Sequence, residues 1–306
     1  MRLNRTRIAI VAGLAVAALA LPFLAPAAVS GERTLHEERS VYRNMYVTQN
    51  GDERCLLFRS RRGAGRESCM LVSQPDRLMF EYAQLMMSGL YANPNPRSIL
   101  IIGQGGGTLP MALREMLPNA KIDVVELDPA VDRIARRFFG YKPDANLRTI
   151  IEDGRVYVKR AGRQRMHYDM VMLDAFEAEY IPEHMLTQEF LQEVKAILGP
   201  RGVLVSNTWS TSGLYDHESA TYASVFGPFY NMKLGNRVIM TRMGGLPPMT
   251  EIRTNAAAWE ARLRPRGASQ GFILPLMRTT VDWDRNARIL TDQYSPSNVL
   301  NSRGRG

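Results

Sequence analysis

Between Arg97 and Asn207 the chain repeats one pattern: a short uninterrupted apolar run, a turn bearing glycine or carboxylate, then a helical stretch. Apolar runs of this length without alternation are expected for strands buried on both faces, as in a parallel sheet. The runs are Arg97 to Ile102, Ile122 to Glu126, Leu147 to Ile151, Met170 to Leu173 and Val203 to Asn207. Asp128-Pro129 caps a helix running to about Phe139, because proline fits a first turn. Thr108 is expected to cap the helix that starts near Leu109. Glu189 to Leu198 reads as a helix that stops at a Gly199-Pro-Arg-Gly202 loop. Tyr230 to Leu234 and Arg237 to Met240, joined at Gly235-Asn236, read as an antiparallel hairpin. The expected fold is α/β, a doubly wound and mostly parallel sheet of seven strands.

With 306 residues, 45% of them hydrophobic and 23% charged, the chain is long enough for a sizeable core and too apolar for wholesale disorder. The net charge is +9, of which Arg2, Arg5 and Arg7 supply three, and the rest is spread thinly. No basic patch points to nucleic acid. The three arginines precede an apolar run from Ile8 to Leu24, followed by small residues to Ser30. This is the pattern of a secretory signal, or of an uncleaved anchor, which places the rest of the chain outside the cytosol. The sequence therefore divides into 1–30 as signal or anchor, 31–95 as a small β-hairpin domain, 96–240 as a nucleoside-binding domain and 241–306 as a C-terminal extension.

Cys55 and Cys69, the two cysteines, flank a basic glycine-bearing stretch from Arg59 to Arg66. Cys-Leu-Leu-Phe and Cys-Met-Leu-Val read as the strands of a hairpin, which sets the cysteines roughly opposite each other. A disulfide and two buried thiols both fit. The arginines of the stretch read as a solvated turn.

Open α/β sheets bind ligands at the carboxyl ends of their strands. The first strand here ends in Gly103-Gln-Gly-Gly-Gly107, where glycine lets a backbone approach a ligand closely. Glu126 lies 23 residues after Gly103, the spacing at which an acid takes ribose hydroxyls. Asp153, before Gly154, is placed to accept from an adenine amino group. The loop is not Gly-x-Gly-x-x-Gly, so a dinucleotide fold is disfavoured. No P-loop, His-Glu-x-x-His or Gly-x-Ser-x-Gly pattern is present. His36, His167, His184 and His217 are scattered and read as packing or surface residues.

Residues from about Glu38 to Met240 resemble the spermidine synthase family of aminopropyltransferases, which share the fold of AdoMet-dependent methyltransferases. The resemblance is carried by Ser40-Val-Tyr-Arg43, Phe80-Glu-Tyr82, Ile99 to Thr108, Val124-Val-Glu-Leu-Asp-Pro129, Glu152-Asp-Gly154 and Tyr168-Asp-Met-Val-Met-Leu-Asp174. Ile181 to Phe190 and Leu290 to Pro296 look like its spermidine-synthase-like branch. The resemblance implies that Gly103, Gly105, Gly106, Gly107, Glu126, Asp153, Gly154 and Arg43 surround the co-substrate. It implies that Asp174 is the base removing a proton from the attacking amine, and that Tyr82 and Glu177 contact the acceptor. The co-substrate is then decarboxylated S-adenosylmethionine or S-adenosylmethionine, with no metal, and the partner a small amine or polyamine. A homodimer is one expected assembly.

Two departures matter. Gly106 stands where the family's loop carries an aspartate that binds the amine of decarboxylated AdoMet, and Arg43 replaces a glutamine. Losing an acid and gaining a base favours a donor that keeps its carboxylate. Three functions follow: an aminopropyltransferase, an AdoMet-dependent methyltransferase, and an exported polyamine- or nucleoside-binding protein without catalysis.

Overall fold

The computed structural model describes residues 31–58, 65–175, 182–209 and 211–302. The expected signal segment, the arginines at positions 59, 61 and 62, and Glu177 lie outside the described residues. From Glu32 onward the chain forms one compact unit.

It opens with a four-stranded antiparallel sheet, β1 (Arg33–Arg39), β2 (Asn44–Asn50), β3 (Glu53–Phe58) and β4 (Arg66–Leu71), paired in chain order. The expected hairpin is therefore the second half of a larger sheet. Two short helices follow, α1 (Glu81–Met86) and α2 (Gly89–Ala92). The alternating part then runs β5 (Ser98–Ile102), α3 (Thr108–Met116), β6 (Lys121–Glu126), α4 (Pro129–Phe138), β7 (Leu147–Ile151), α5 (Gly154–Arg163), β8 (Tyr168–Leu173), α6 (Gln188–Ala196) and β9 (Leu198–Trp209). Helix α7 (Leu214–Phe226), the hairpin β10 (Tyr230–Leu234) and β11 (Asn236–Arg242), and helix α8 (Met249–Leu263) complete it.

The second sheet has seven strands in the order β10-β11-β9-β8-β5-β6-β7. Its five central and edge strands from β9 to β7 are parallel, and β10 and β11 are antiparallel additions. The uninterrupted apolar runs follow from burial of both faces. Ile99 and Ile101 point to one face, into the apolar cluster that also holds Ile252, Ala256 and Leu263 of α8. Leu100 and Ile102 point to the other, under Tyr157 and Val158 of α5 and Phe190 of α6. Residues after Met240 thus belong to the same core as the sheet. The N-terminal sheet buries Met45, Val47, Leu56 and Phe58 against Val131, Ile134 and Phe139 at α4.

Two local expectations need correction. Thr108 is the first residue of α3 rather than its cap. Gly107 occupies the cap position in a left-handed conformation (φ 80°), and an added Cβ there would lie 2.5 Å from the Tyr141 ring. Gly199-Pro-Arg-Gly202 is not a loop before the last parallel strand but an irregularity within β9: Tyr168 faces Leu198 while Met170 faces Val203. The extra residues are absorbed at the entrance of the strand, far from its carboxyl end. Among the described residues no helix is long and apolar enough to cross a membrane.

Strands β5, β6 and β7 progress to one side of the sheet and β8 and β9 to the other, so the chain order reverses between β5 and β8. Crevices form at the carboxyl ends of strands where such a reversal occurs. Gly103, Asp153 and Asp174 follow β5, β7 and β8 at that edge, and Glu126 ends β6 there.

Candidate active site

Gly103 sets the geometry of the crevice. Its φ of +97° is open only to glycine among common residues, and an added Cβ would sit 2.1 Å from the carbonyl oxygen of Asp174. The two strand ends can therefore lie side by side, with the Gly103 N–H donating to Val125 and the Asp174 N–H donating to Ile102. Gly103, Gln104 and Gly105 then line a cavity of about 190 Å³ together with Glu126, Asp153, Gly154, Asp174, Arg43 and Tyr82. Gly106 and Gly107 do not face it; they are buried behind the loop, against Ser68 with Phe139 and against Tyr141 respectively.

Glu126 is 9% exposed, and both of its oxygens are oriented by backbone. Oε2 accepts from the Gln104 N–H at 3.1 Å and Oε1 from the Asp128 N–H at 2.9 Å. Burial raises its pKa, while the two N–H donors and the Arg43 charge act in the opposite sense. A carboxylate has about four acceptor positions, so two remain for a ligand. Arg43 reaches the cavity because Ser40 folds its loop. The Ser40 hydroxyl donates to Asp128 at 2.5 Å and its oxygen accepts from the Arg43 N–H, while the Arg43 guanidinium lies 4.4 Å over the Phe58 ring.

Asp153 caps α5 through one oxygen, which accepts from the N–H groups of Arg155 and Val156 at 3.0 Å. Its other oxygen meets His184 Nε2 at 3.1 Å, and this bond is the main cause holding its pKa below the usual aspartate value. His184 thus belongs to the cavity wall rather than to an unrelated surface. The wall is braced from behind: buried Arg155 donates to the His184 carbonyl and forms paired bonds to Glu193 and to Asp292 of the C-terminal segment.

Asp174 keeps part of its surface on the cavity but sits deep in the protein, and burial pushes its pKa up to about 7. Asn207 donates to its Oδ1 at 3.0 Å. A second cleft, of about 460 Å³, shares Glu67, Met79, Phe80 and Tyr82 with the first and is completed by Arg66, Glu81, Asn207, Trp209, Leu234, Gly235 and Asn236. Tyr82 stacks on Phe80, and burial together with the Asp174 and Glu67 charges raises its phenol well above the ordinary value.

Cys55 and Cys69 are joined by a disulfide, directly across β3 and β4. Arg66 is not a simple solvated residue: it donates to both sulfurs and pairs with Glu53. The cross-linked hairpin delivers Glu67, Ser68 and Cys69 to the cavity. Reading the sequence missed Glu67, Ser68, His184, Asn207 and Asn236. The position of Asn207 at the carboxyl end of a parallel strand was a usable signal. Nothing local marks Glu67, which a separate sheet brings in.

A seven-stranded, mostly parallel sheet with a glycine loop and acids at successive strand ends defines an α/β protein of methyltransferase-like fold. Residues 79–234 match the spermine/spermidine synthase domain, and the chain belongs to that family. It is 45% identical over 288 residues to a polyamine aminopropyltransferase of Vibrio vulnificus, covering 92% of this chain and 96% of that one. It is 30% identical over 228 residues to the human eEF1A lysine and N-terminal methyltransferase, covering 67% of this chain and a third (33%) of that protein. Among solved structures, a probable spermidine synthase from Corynebacterium glutamicum superposes with a TM-score of 0.66 at 20% identity, over 85% of this chain and 97% of that one. Human methyltransferase-like protein 13 in complex with SAH superposes with a TM-score of 0.56 at 28% identity, over 64% of this chain and 98% of that one.

Proposed function

We propose that the protein transfers an aminopropyl group from decarboxylated AdoMet to a polyamine, with Asp174 as the base. The observation that carries this reading is the position of Asp174. It lies on the nucleoside cavity, and its partner Asn207 lies on the adjoining cleft. In the reading, Glu126 holds the ribose hydroxyls and Asp153 with His184 faces the base. Phe80, Tyr82 and Trp209 pack along the methylenes of the acceptor, and Glu67 and Glu81 attract its ammonium groups. Asp174 takes a proton from the attacking ammonium. The freed nitrogen lone pair forms a bond to the methylene carbon beside the sulfonium. The C–S bond breaks and its electrons stay on sulfur, leaving methylthioadenosine. A carboxylate titrating near neutrality suits a general base. Asp174→Asn tests the assignment: donor binding should persist while turnover falls by about 10²–10⁴-fold. Wild-type turnover in that variant would remove Asp174 from the chemistry.

One observation favours methyl transfer as a second reading. The space beside Gly106 is taken up by Ser68 and Phe139, and the loop carries no acid there to hold the bare ammonium of a decarboxylated donor. The identity to a methyltransferase points the same way.

Export is part of the proposal. It is supported by the three arginines ahead of the Ile8 to Leu24 run and by a disulfide, which persists best in an oxidising compartment. A carboxyl-terminal reporter active only in the cytosol tests it: activity there would exclude export.

A further inference from the structure

We infer that Asn236 and Asn207 are positioning residues for Asp174, linked as an amide chain that fixes which oxygen of the carboxylate is free to take the proton. The inference rests on the reading of Asp174 as the base.

The chain runs across three adjacent strands. Asp174 directly follows β8, where Leu173 stands beside Ser206 of β9. Asn207 is the next residue of β9 and faces Val238 of β11, and Asn236 lies two residues before Val238. Residues related in this way are diagonal neighbours on one face of an antiparallel pair. Asn236 Nδ2 donates to Asn207 Oδ1 at 3.0 Å, and Asn207 Nδ2 donates to Asp174 Oδ1 at 3.0 Å.

The direction of the chain is dictated by chemistry. An ionised carboxylate only accepts, so Asn207 must turn its NH₂ towards Asp174 and its carbonyl away. Asn207 is 4% exposed, and its carbonyl would lack this donor without Asn236. Asn236 therefore holds the Asn207 amide in the single orientation that supports the ionised base. With Oδ1 engaged, Oδ2 is left for the ammonium. Asn207 and Asn236 also line the acceptor cleft, so the arrangement lies beside the incoming amine without needing to touch the nucleoside. The Gly235-Asn236 hairpin turn gains a role beyond joining two strands.

Other titratable and charged groups face the same space. They are Glu81 and Tyr82 on α1, Arg66 and Glu67 on β4, Glu126 at the end of β6, Arg43 between β1 and β2, and Asp153 with His184. None is altered by Asn236→Ala, which adds no charge, so a shift in the titration of turnover in that variant reports on the amide chain.

The test is the pH profile of kcat at saturating decarboxylated AdoMet and spermidine, for the wild type and for Asn207→Ala, Asn236→Ala, Asn236→Asp and Asp174→Asn. Loss of a hydrogen bond to a charged group should move the acid limb of Asn207→Ala to higher pH by about one unit. Asn236→Ala should move it the same way by less. Asn236→Asp replaces the donor by an acceptor, which turns the Asn207 carbonyl towards Asp174, so its limb should move at least as far as that of Asn207→Ala. The KM for the donor should stay within about twofold, since the nucleoside contacts are unchanged. If Asp174→Asn is inactive and both Asn236 variants keep the wild-type limb, the amide chain is wrong and the base stands. If Asp174→Asn turns over normally, the base assignment fails and the inference falls with it.

Discussion

Cys55 and Cys69 stand directly opposite each other on β3 and β4, and the bond between their sulfurs closes the hairpin that carries Glu67 and Ser68 to the cavity. Cross-linking across a separation of 14 residues should contribute on the order of 3 kcal/mol. Non-reduced peptide mapping should find the two cysteines linked, and Cys55→Ala/Cys69→Ala should lower the stability by about that amount. Quantitative alkylation of both thiols without prior reduction would contradict the pairing.

Glu126→Gln should weaken binding of an adenosine ligand by about ten- to a hundredfold, the weight of a charge-assisted hydrogen bond of roughly 1.5–3 kcal/mol. It should also cost stability on the order of 1 kcal/mol. Both Glu126 oxygens accept backbone N–H groups, and glutamine must turn an NH₂ against one of them. Calorimetric titration and thermal unfolding measure the two effects separately. Unchanged affinity would mean that Glu126 is not the ribose residue.

Gly106 presents a packing constraint where electrostatics alone suggests a donor switch. An added Cβ would lie 2.7 Å from Ser68 Oγ and 3.0 Å from the Phe139 ring. Gly106→Ala and Gly106→Asp should both destabilise the fold, by about 1–3 kcal/mol for overpacking. Arg43→Gln carries the electrostatic question without that clash, and should raise the affinity for the decarboxylated form relative to that for AdoMet. Titration of both donors checks this. A stable Gly106→Asp protein with gained affinity for the decarboxylated donor would refute the packing account.

Asp174 should cost stability at alkaline pH. Its folded pKa is raised to about 7 from 3.8, so the folded state binds the proton more tightly than the unfolded chain. The stability linked to this group is therefore complete below about pH 4 and is lost as pH rises through about 7. Asp174→Asn should be more stable than wild type at pH 8, by on the order of 1–3 kcal/mol given that the carboxylate faces an open cleft, and should gain little at pH 4. Denaturant unfolding at the two pH values measures it. An equal difference at both values would assign the effect to packing.

The parallel sheet was legible because burial of both faces leaves an unbroken apolar signature, and the edge that carries the cavity because glycine and acids stand at strand ends. Gly103, Glu126, Asp153 and Asp174 are all of this kind. What stayed hidden depends on contacts between distant segments. Glu67 is brought to the cavity by a separate sheet, and Asn236 acts through Asn207 from an antiparallel strand added after α7. Thr108 looked like a cap because threonine favours that position. A glycine took it instead, because the Tyr141 ring leaves no room for a side chain. Glu177 and the N-terminal segment lie outside the described residues, so their expected roles rest on the sequence.

The most direct measurement is the identity of the nucleoside product. The full chain is incubated with spermidine and either decarboxylated AdoMet or AdoMet, and the products are separated by mass. The account predicts methylthioadenosine and an amine lengthened by one aminopropyl unit, formed from the decarboxylated donor. S-adenosylhomocysteine with a methylated amine, formed from AdoMet alone, would contradict it.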